Sequence, residues 1–481
     1  MQESQSTKLI IARVNTDIVR HTMRGGIGAS WHAMSKDIPL ENEKYDYPVR
    51  HVNPRGSGYG GNPPVSAKET WDQIYRHASW LGLNFIRVEL SQRMYEPARG
   101  AFDWENEEML ALYNILDWCE SNQADVFLQQ MWGHVEWNAF PGVHPLLSAP
   151  RSVDDFAEGI KKLLDQLIKK RKYSCIKYFC ITNEPPGGTW GYWWSHGSGS
   201  GTITPALRKT RQRLDDAGID IPLSGPDWTS LPPLDPSKID FDDFVGAYDI
   251  HSYDGIDKSR ATIIGDWVGW AHGKNKPFFL TELGNMKLGW GGDNPGPKSF
   301  GAALSNASDI VTCLNLGVDG INRWSFVNRG DMDGQWQLIQ TWDRGRKMFL
   351  KQVQPESFAY YGFGVLSRFI GKYAAALEST VNSEDIKLAA VKNKTGEISI
   401  FLLNSSDADQ SVALTITGNA SRIGMFLYQV SEKLIASGNF RLEGKIEKET
   451  ASGERTIVLP AKSISALTSL HLKPDSPGII I

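Results

Sequence analysis

The stretch IKYFCITNEPP, residues 176–186, is a short apolar run that stops on Asn183-Glu184 and two prolines. Seven more runs of the same kind stand at GIGASW (26–31), NFIRVEL (84–90), DVFLQQMW (125–132), IPLSGPDW (221–228), AYDIHSY (247–253), PFFLTELG (277–284) and GINRWSF (320–326). Amphipathic segments fill the intervals, so residues 26 to about 350 alternate strand and helix, the signature of a parallel sheet. The step from residue 221 to residue 247 leaves room only for a short helix. Eight strands with helices between them is the count of a closed (β/α)8 barrel, a TIM barrel. A doubly wound sheet has no reason to stop at eight, and would carry a Gly-rich phosphate turn whose spacing GGIGAS at 25–30 lacks.

Helix punctuation supports this reading. Ser66 with Glu69 reads as a capping box ahead of a helix that runs to Leu81 and Gly82. Ser152 with Asp155 opens another, and Thr204-Pro205 a third that Gly218 ends. After residue 371 the texture changes to alternating strands (IKLAAVKN, EISIFLLN, QSVALTIT, RIGMFLYQV) separated by turn residues, which read as an antiparallel β-sandwich. The expected organisation is a barrel over 25–370 and a sandwich over 371–481, with the apolar strands of residues 1–24 paired to the sandwich, since unpaired they would be exposed edges.

Lys plus Arg is 51 and Asp plus Glu 55, for a net charge of −4, which argues against a nucleic-acid partner. No run of 18 apolar residues occurs, which argues against a membrane-spanning helix. Four scattered cysteines, Cys119, Cys175, Cys180 and Cys313, suit free thiols rather than a disulfide framework. The start, MQESQSTK, lacks a signal-peptide apolar region, so the expected location is cytoplasmic, or secreted or periplasmic if a leader has been removed. Seventeen tryptophans hint at exposed aromatic platforms.

Barrel active sites sit at the C-terminal ends of the strands. Those ends hold Asn183-Glu184, Thr281-Glu282, Arg87 with Glu89, His251 with Tyr253, and Trp324. Two carboxylates facing one cleft, one holding a proton and one kept ionised by a neighbouring Arg, are the minimal equipment for glycoside hydrolysis. In these motifs the chain resembles clan A retaining glycoside hydrolases over roughly residues 26–350. The appended sandwich is similar to that of families 30, 39 and 51, and the His-x-Tyr of the sixth strand to family 5; the family stays open among them. The resemblance implies Glu184 as acid/base and Glu282 as nucleophile. It implies Asn183 on the sugar 2-hydroxyl, Arg87 and Tyr253 orienting Glu282, His251 near the acid/base, and Trp324 under the reacting sugar.

Asn183 and Glu184 point to opposite faces of a regular strand, so both reach the cleft only if the strand end bulges or turns there. Glu89 shares a face with Arg87 and would partly neutralise it. Further substrate-binding candidates lie on the loops: Trp31 and His32 after the first strand, Trp132 and His134 after the third, Trp190 in a Gly-rich loop after the fourth, and Asn328, Arg329 and Trp336 after the eighth. GDMDG at 330–334 lacks the 12-residue calcium pattern, so no metal and no cofactor are expected. The expected function is retaining hydrolysis of a β-linked, equatorial oligosaccharide or polysaccharide. The alternatives are a transglycosylase using the same residues and a non-catalytic glycan-binding protein. The insertion at 37–65 is too long for an idle loop. Deleting it is expected to alter activity or product length in a glycan digest, and an unchanged digest would refute a role in shaping the cleft.

Overall fold

The computed structural model describes residues 9–33, 61–132, 135–143, 145, 148–185, 203–229, 231–289, 299–328, 336–343, 346, 348–419, 424–438, 440–447 and 454–480. The first strand, β1 (Ile10–Thr22), belongs to a second sheet described below. Eight parallel strands then form the barrel: β2 (Ile27–His32), β3 (Phe85–Ser91), β4 (Asp125–Trp132), β5 (Ile176–Cys180), β6 (Leu223–Trp228), β7 (Ala247–Tyr253), β8 (Phe278–Gly284) and β9 (Gly320–Asn328). Each pairs with the next, and β9 pairs with both β8 and β2, which closes the ring. All eight fall on the runs read from the sequence. A hairpin, β10 (Ile339–Asp343) and β11 (Met348–Pro355), extends the edge of β9.

The outer layer comprises α1 (Lys68–Leu81), α2 (Glu107–Ser121), α3 (Val153–Leu164), α4 (Thr204–Asp216), α5 (Lys258–Gly273), α6 (Phe300–Leu316) and α7 (Ser357–Ser367). Between β6 and β7 the described residues form only two single 3-10 turns, as the short interval requires. Ser152 caps α3 through the Asp155 N–H, and Pro205 stands in the first turn of α4. The Ser66 capping box does not form. The helix starts at Lys68 with Ala67 at its N-cap, so Ser66 sits one residue too early.

Successive side chains of a strand face opposite ways, and β3 shows what this does for the barrel. Phe85 lies at the bottom of the interior against Phe127, Tyr178 and Phe279, an aromatic plug. Two and four residues on, Arg87 and Glu89 face the same interior nearer the strand ends, so the barrel changes from apolar to charged within one strand. Gly28 on β2 passes against this strand so closely that a Cβ would fall 1.9 Å from the Phe85 carbonyl oxygen. All four cysteines are free and buried. No described helix is long and apolar enough to cross a membrane.

The second sheet contains β12 (Ala375–Val381), β13 (Ile386–Lys392), β14 (Ile398–Asn404), β15 (Gln410–Thr417), β16 (Met425–Ser431), β17 (Lys445–Glu447), β18 (Glu454–Leu459) and β19 (Ser463–Thr468). Its strand order is β17-β16-β19-β14-β13-β12-β1-β15-β18, around a separate apolar core that includes Val14, Leu388, Ile400, Leu414 and Leu467. The N-terminal β1 sits mid-sheet, antiparallel to β12 and parallel to β15, with register shifts between Asn15 and His21. Its end is tied to the barrel floor by Asp319, which accepts from His21 Nε2 (3.1 Å), His272 Nε2 (2.8 Å), the Arg24 N–H (3.1 Å) and the Phe278 N–H (2.9 Å). Burial raises the Asp319 carboxyl, but the two histidine hydrogen bonds outweigh it and hold it below the usual carboxylate value. Asp319→Ala strips four donors of their acceptor, so the free energy of unfolding is expected to fall by about 1–3 kcal/mol, read as a lower urea midpoint. A wild-type midpoint would show that the junction does not depend on this carboxylate.

Candidate active site

The strand ends bring Arg87, Asn183, Glu184, His251 and Glu282 into one buried cluster, with the half-buried Tyr253 beside them. Residues 183 and 184 lie just beyond the paired part of β5, where the chain turns: Glu184 has a left-handed φ of 49°. A bulky residue takes that conformation only when its surroundings impose it. Here the turn lets both neighbours face the interior, and the Glu184 N–H is fixed by Asp227 Oδ2 at 3.1 Å.

Glu282, on β8, is ringed by donors. Arg87 Nη1 lies 2.5 Å from its Oε1, the Tyr253 hydroxyl donates to its Oε2, and His251 Nδ1 is 3.2 Å from the same oxygen. His251 Nδ1 also lies 2.7 Å from Glu184 Oε1, so one imidazole bridges the two glutamates. An oxygen of each glutamate and the histidine nitrogen all lie within 4.8 Å of one another. Asn183 Oδ1 accepts from Arg87 Nη2 at 2.8 Å, which leaves the amide –NH2 to donate elsewhere.

Arg87 does not belong to Glu282 alone. It also pairs with Glu89, and donates to Gln129 and to Ser30 Oγ (3.3 Å). Glu89 in turn pairs with His32. Burial raises Glu89, but Arg87 and His32 outweigh it and hold the carboxyl low. The expectation that Arg87 keeps Glu282 acidic is therefore corrected. Burial pushes Glu282 up, to about 7, against the lowering pull of Arg87 and His251, and the negative charges of Glu184 and Glu89 add to that rise. Burial would lower His251, but Asp227 and Glu282 raise it well above its ordinary value.

Trp324 stands at the same end of the barrel, 5.6 Å below the Arg87 guanidinium and edge-on to His32 at 4.8 Å, with a cis peptide to Ser325. Trp336 packs edge-on to Tyr253 at 5.3 Å and covers Gly284, so it braces that tyrosine. Trp31 is not in the cleft. It points outward from β2 into the layer of Trp71, Tyr75, Trp118 and Phe326, fully buried, with its indole N–H on Asn62 at 2.9 Å. Its neighbour His32 takes the inward position instead. Trp132 ends β4, and Asn328 ends β9, where it pairs with Gln340 of β10; the side chains of both lie outside the described residues. His134, Trp190, Arg329, the GDMDG stretch and residues 37–60 of the insertion also lie outside them.

Sequence reasoning missed Gln129 and Asp227. Gln129 Nε2 donates to the Thr182 carbonyl (2.6 Å) and to Asp227 Oδ2 (2.7 Å), linking β4, β5 and β6 beneath the glutamates. The signal was present as a polar pair, Gln129-Gln130, between the apolar stretches Val126–Leu128 and Met131-Trp132. Glu184, His251 and Glu282 have metal-ligand chemistry, yet both histidine nitrogens already face carboxylate oxygens, since Nε2 lies 2.9 Å from Asp227 Oδ1. An imidazole that donates from both nitrogens has no lone pair for an ion.

The family model described as Cellulase (glycosyl hydrolase family 5) matches residues 46–312, more than half of the chain. That span begins ahead of α1, ends within α6 and includes both glutamates, but stops short of β9 and Trp324. Among solved structures the fold is similar to Xyn30A, a glycoside hydrolase family 30 subfamily 8 xylanase from Clostridium acetobutylicum, at 15% identity and TM-score 0.59, covering 95% of this chain and 99% of that one. It is similar to SrfJ from Salmonella typhimurium at 13% identity and TM-score 0.66, covering 98% and 94%. It is similar also to a family 51 arabinofuranosidase from Xanthomonas axonopodis pv. citri at 13% identity and TM-score 0.57, covering 96% and 99%. No curated protein matches in sequence. These structural likenesses cover the second sheet as well as the barrel.

The shared arginine has a measurable consequence. With glutamate carboxyls labelled by 13C, Glu282 is expected to titrate near 7, and Glu89→Gln to lower that value by returning the whole Arg87 charge to Glu282. An unchanged titration in Glu89→Gln would mean that the two carboxylates do not compete.

Proposed function

The chain belongs to glycosyl hydrolase family 5, and from that premise we propose that it cleaves a β-linked glycan with retention, Glu282 acting as nucleophile and Glu184 as acid/base. The observation that carries this reading is the closeness of the two carboxylates, whose oxygens approach within 4.8 Å. Retaining enzymes hold their carboxyl groups about 5–5.5 Å apart, whereas inversion needs about 6.5–9.5 Å to admit a water.

The assignment of roles follows from the neighbours. Glu282 is held by Arg87, Tyr253 and His251, so its oxygen is aimed and cannot swing. Glu184 has His251 as its side-chain partner and keeps 9% of its side chain exposed, against 4% for Glu282. The more accessible carboxyl is the one suited to reach a leaving group. In the first step Glu184 gives its proton to the glycosidic oxygen, and the C–O bond breaks as a Glu282 oxygen bonds to the anomeric carbon. In the second step Glu184 takes a proton from water, whose oxygen displaces Glu282 from the same carbon. Two inversions leave the configuration unchanged. In this reading the Asn183 –NH2 donates to the sugar 2-hydroxyl and Trp324 lies beneath the reacting sugar.

Because Glu282 must be ionised to attack, kcat/KM is expected to fall as pH drops through about 7. The test is sugar release from β-1,4-glucans, xylans, arabinose-bearing glycans and a wider panel of plant, microbial and host glycans, with wild type beside Glu282→Gln and Glu184→Gln. Release by wild type and none by Glu282→Gln, with the β-anomer formed first by proton NMR, is the expected result. Equal release by wild type and Glu282→Gln would remove the nucleophile, and an α-anomer formed first would replace retention by inversion.

A further inference from the structure

Two carboxyls without a part in those two steps lie directly beneath the catalytic pair. Asp227 is near the end of β6, and Asp249 is on β7 two residues before His251; both are fully buried. Their oxygens and Cys180 Sγ fall within 4.8 Å of one another, and the two carboxyls share a hydrogen bond. Two carboxyls so close in a dry interior cannot both ionise, so one keeps its proton and donates it to the other.

The surroundings decide which one. Asp227 faces donors on every side: the Glu184 N–H and Gln129 Nε2 at its Oδ2, and His251 Nε2 at 2.9 Å from its Oδ1. Asp249 has the Ser224 hydroxyl, 2.7 Å from its Oδ1, and Asp227 itself. Asp249 is thus the protonated member and Asp227 the anion, which agrees with burial and Asp227 pushing Asp249 up while His251 and Arg87, against burial, hold Asp227 down.

We propose that Asp227 is a positioning residue of the catalytic pair, braced by Asp249, which fixes the Glu184 backbone through Oδ2 and holds a charged His251 between Glu184 and Glu282 through Oδ1. His251 meets Asp227 from β6, Glu184 from the end of β5 and Glu282 from β8, with Arg87 of β3 and Tyr253 of its own strand bound to Glu282 behind. Flanked by carboxylate oxygens at both nitrogens, the ring donates from both and carries a positive charge. Asp227 therefore sets the charge that the two glutamates share. The proposal rests on the reading of Glu184 and Glu282 as the catalytic pair, but its first test needs no turnover.

Asp227→Asn keeps one oxygen for the Glu184 N–H and Gln129, and can turn an N–H toward His251. Nε2 then has to accept, and the ring loses its charge. In 15N-histidine-labelled protein, the His251 ring, identified by its loss in His251→Gln, is expected to stay protonated at both nitrogens through pH 8 in wild type and to be neutral there in Asp227→Asn. With 4-nitrophenyl β-cellobioside and 4-nitrophenyl β-xylobioside, the acidic limb of kcat/KM is expected to move up by about 1–3 pH units in Asp227→Asn, because Glu282 has lost a neighbouring cation. Asp249→Asn, which still offers a donor to Asp227, is expected to leave His251 charged and the limb in place.

A ring that stays charged in Asp227→Asn overturns the proposal. So does a loss of kcat/KM that is uniform across pH, which is the mark of a merely structural role. A neutral His251 in Asp249→Asn overturns the part assigned to Asp249. If neither glycoside is turned over, the catalytic reading fails on those substrates, while the NMR result still decides whether Asp227 sets the charge of His251.

Discussion

Too many carboxylates for too few cations, nearly all of them buried, is the constraint on which this barrel's functional end depends. Glu89, Glu184, Asp227, Asp249 and Glu282 are all buried there, with Arg87 and His251 among them. An unpaired ionised carboxylate in a low-dielectric interior is too costly to persist. The cluster meets this in three ways. Arg87 is divided between Glu89 and Glu282, His251 between Asp227 and both glutamates, and Asp249 keeps its proton. What is left over falls on Glu282, which titrates near neutrality and is still aimed by three donors. A carboxylate that is oriented but only partly neutralised is a better nucleophile than one fully committed to a salt bridge.

The scaffold makes that crowding tolerable. Phe85, Phe127, Tyr178 and Phe279 fill the opposite end of the barrel, so the polar end is a lid on a dry core rather than a channel. Gln129 and Asp227 cross-link three adjacent strands by side chains below the glutamates. At the floor, Asp319 ties β1 and therefore the second sheet to the barrel. Glu184 and Glu282 are thus held at strand ends whose mutual positions are fixed from beneath.

Much of this was legible in the sequence, for identifiable reasons. The eight barrel strands are apolar runs separated by helical segments, and the run from Asp249 through His251 to Tyr253 shows its inward face directly, every second residue being polar. Asn183-Glu184-Pro185 announced a break in the strand, and the left-handed Glu184 is that break. Trp31 was misread because β2 is buried on both faces, so neither apolarity nor alternation tells which of Trp31 and His32 turns inward. Asp227 escaped because its importance lies in cross-strand contacts to β4, β5 and β7, which no single run displays. The division of Arg87 could be foreseen from Glu89 standing two residues away, but not its outcome at Glu282. That depends on burial, which outweighs both cations there.

The most direct test of the central claim, that Glu282 attacks the sugar from within this cluster, is to trap it. The protein is incubated with a set of 2,4-dinitrophenyl 2-deoxy-2-fluoro-β-glycosides, and the intact mass and peptide masses are recorded. One covalent sugar per chain is expected, carried on the peptide that contains Glu282 and absent from Glu282→Gln. A sugar attached to any other residue, or no adduct from a fluoroglycoside whose parent glycoside the enzyme hydrolyses, would contradict that claim.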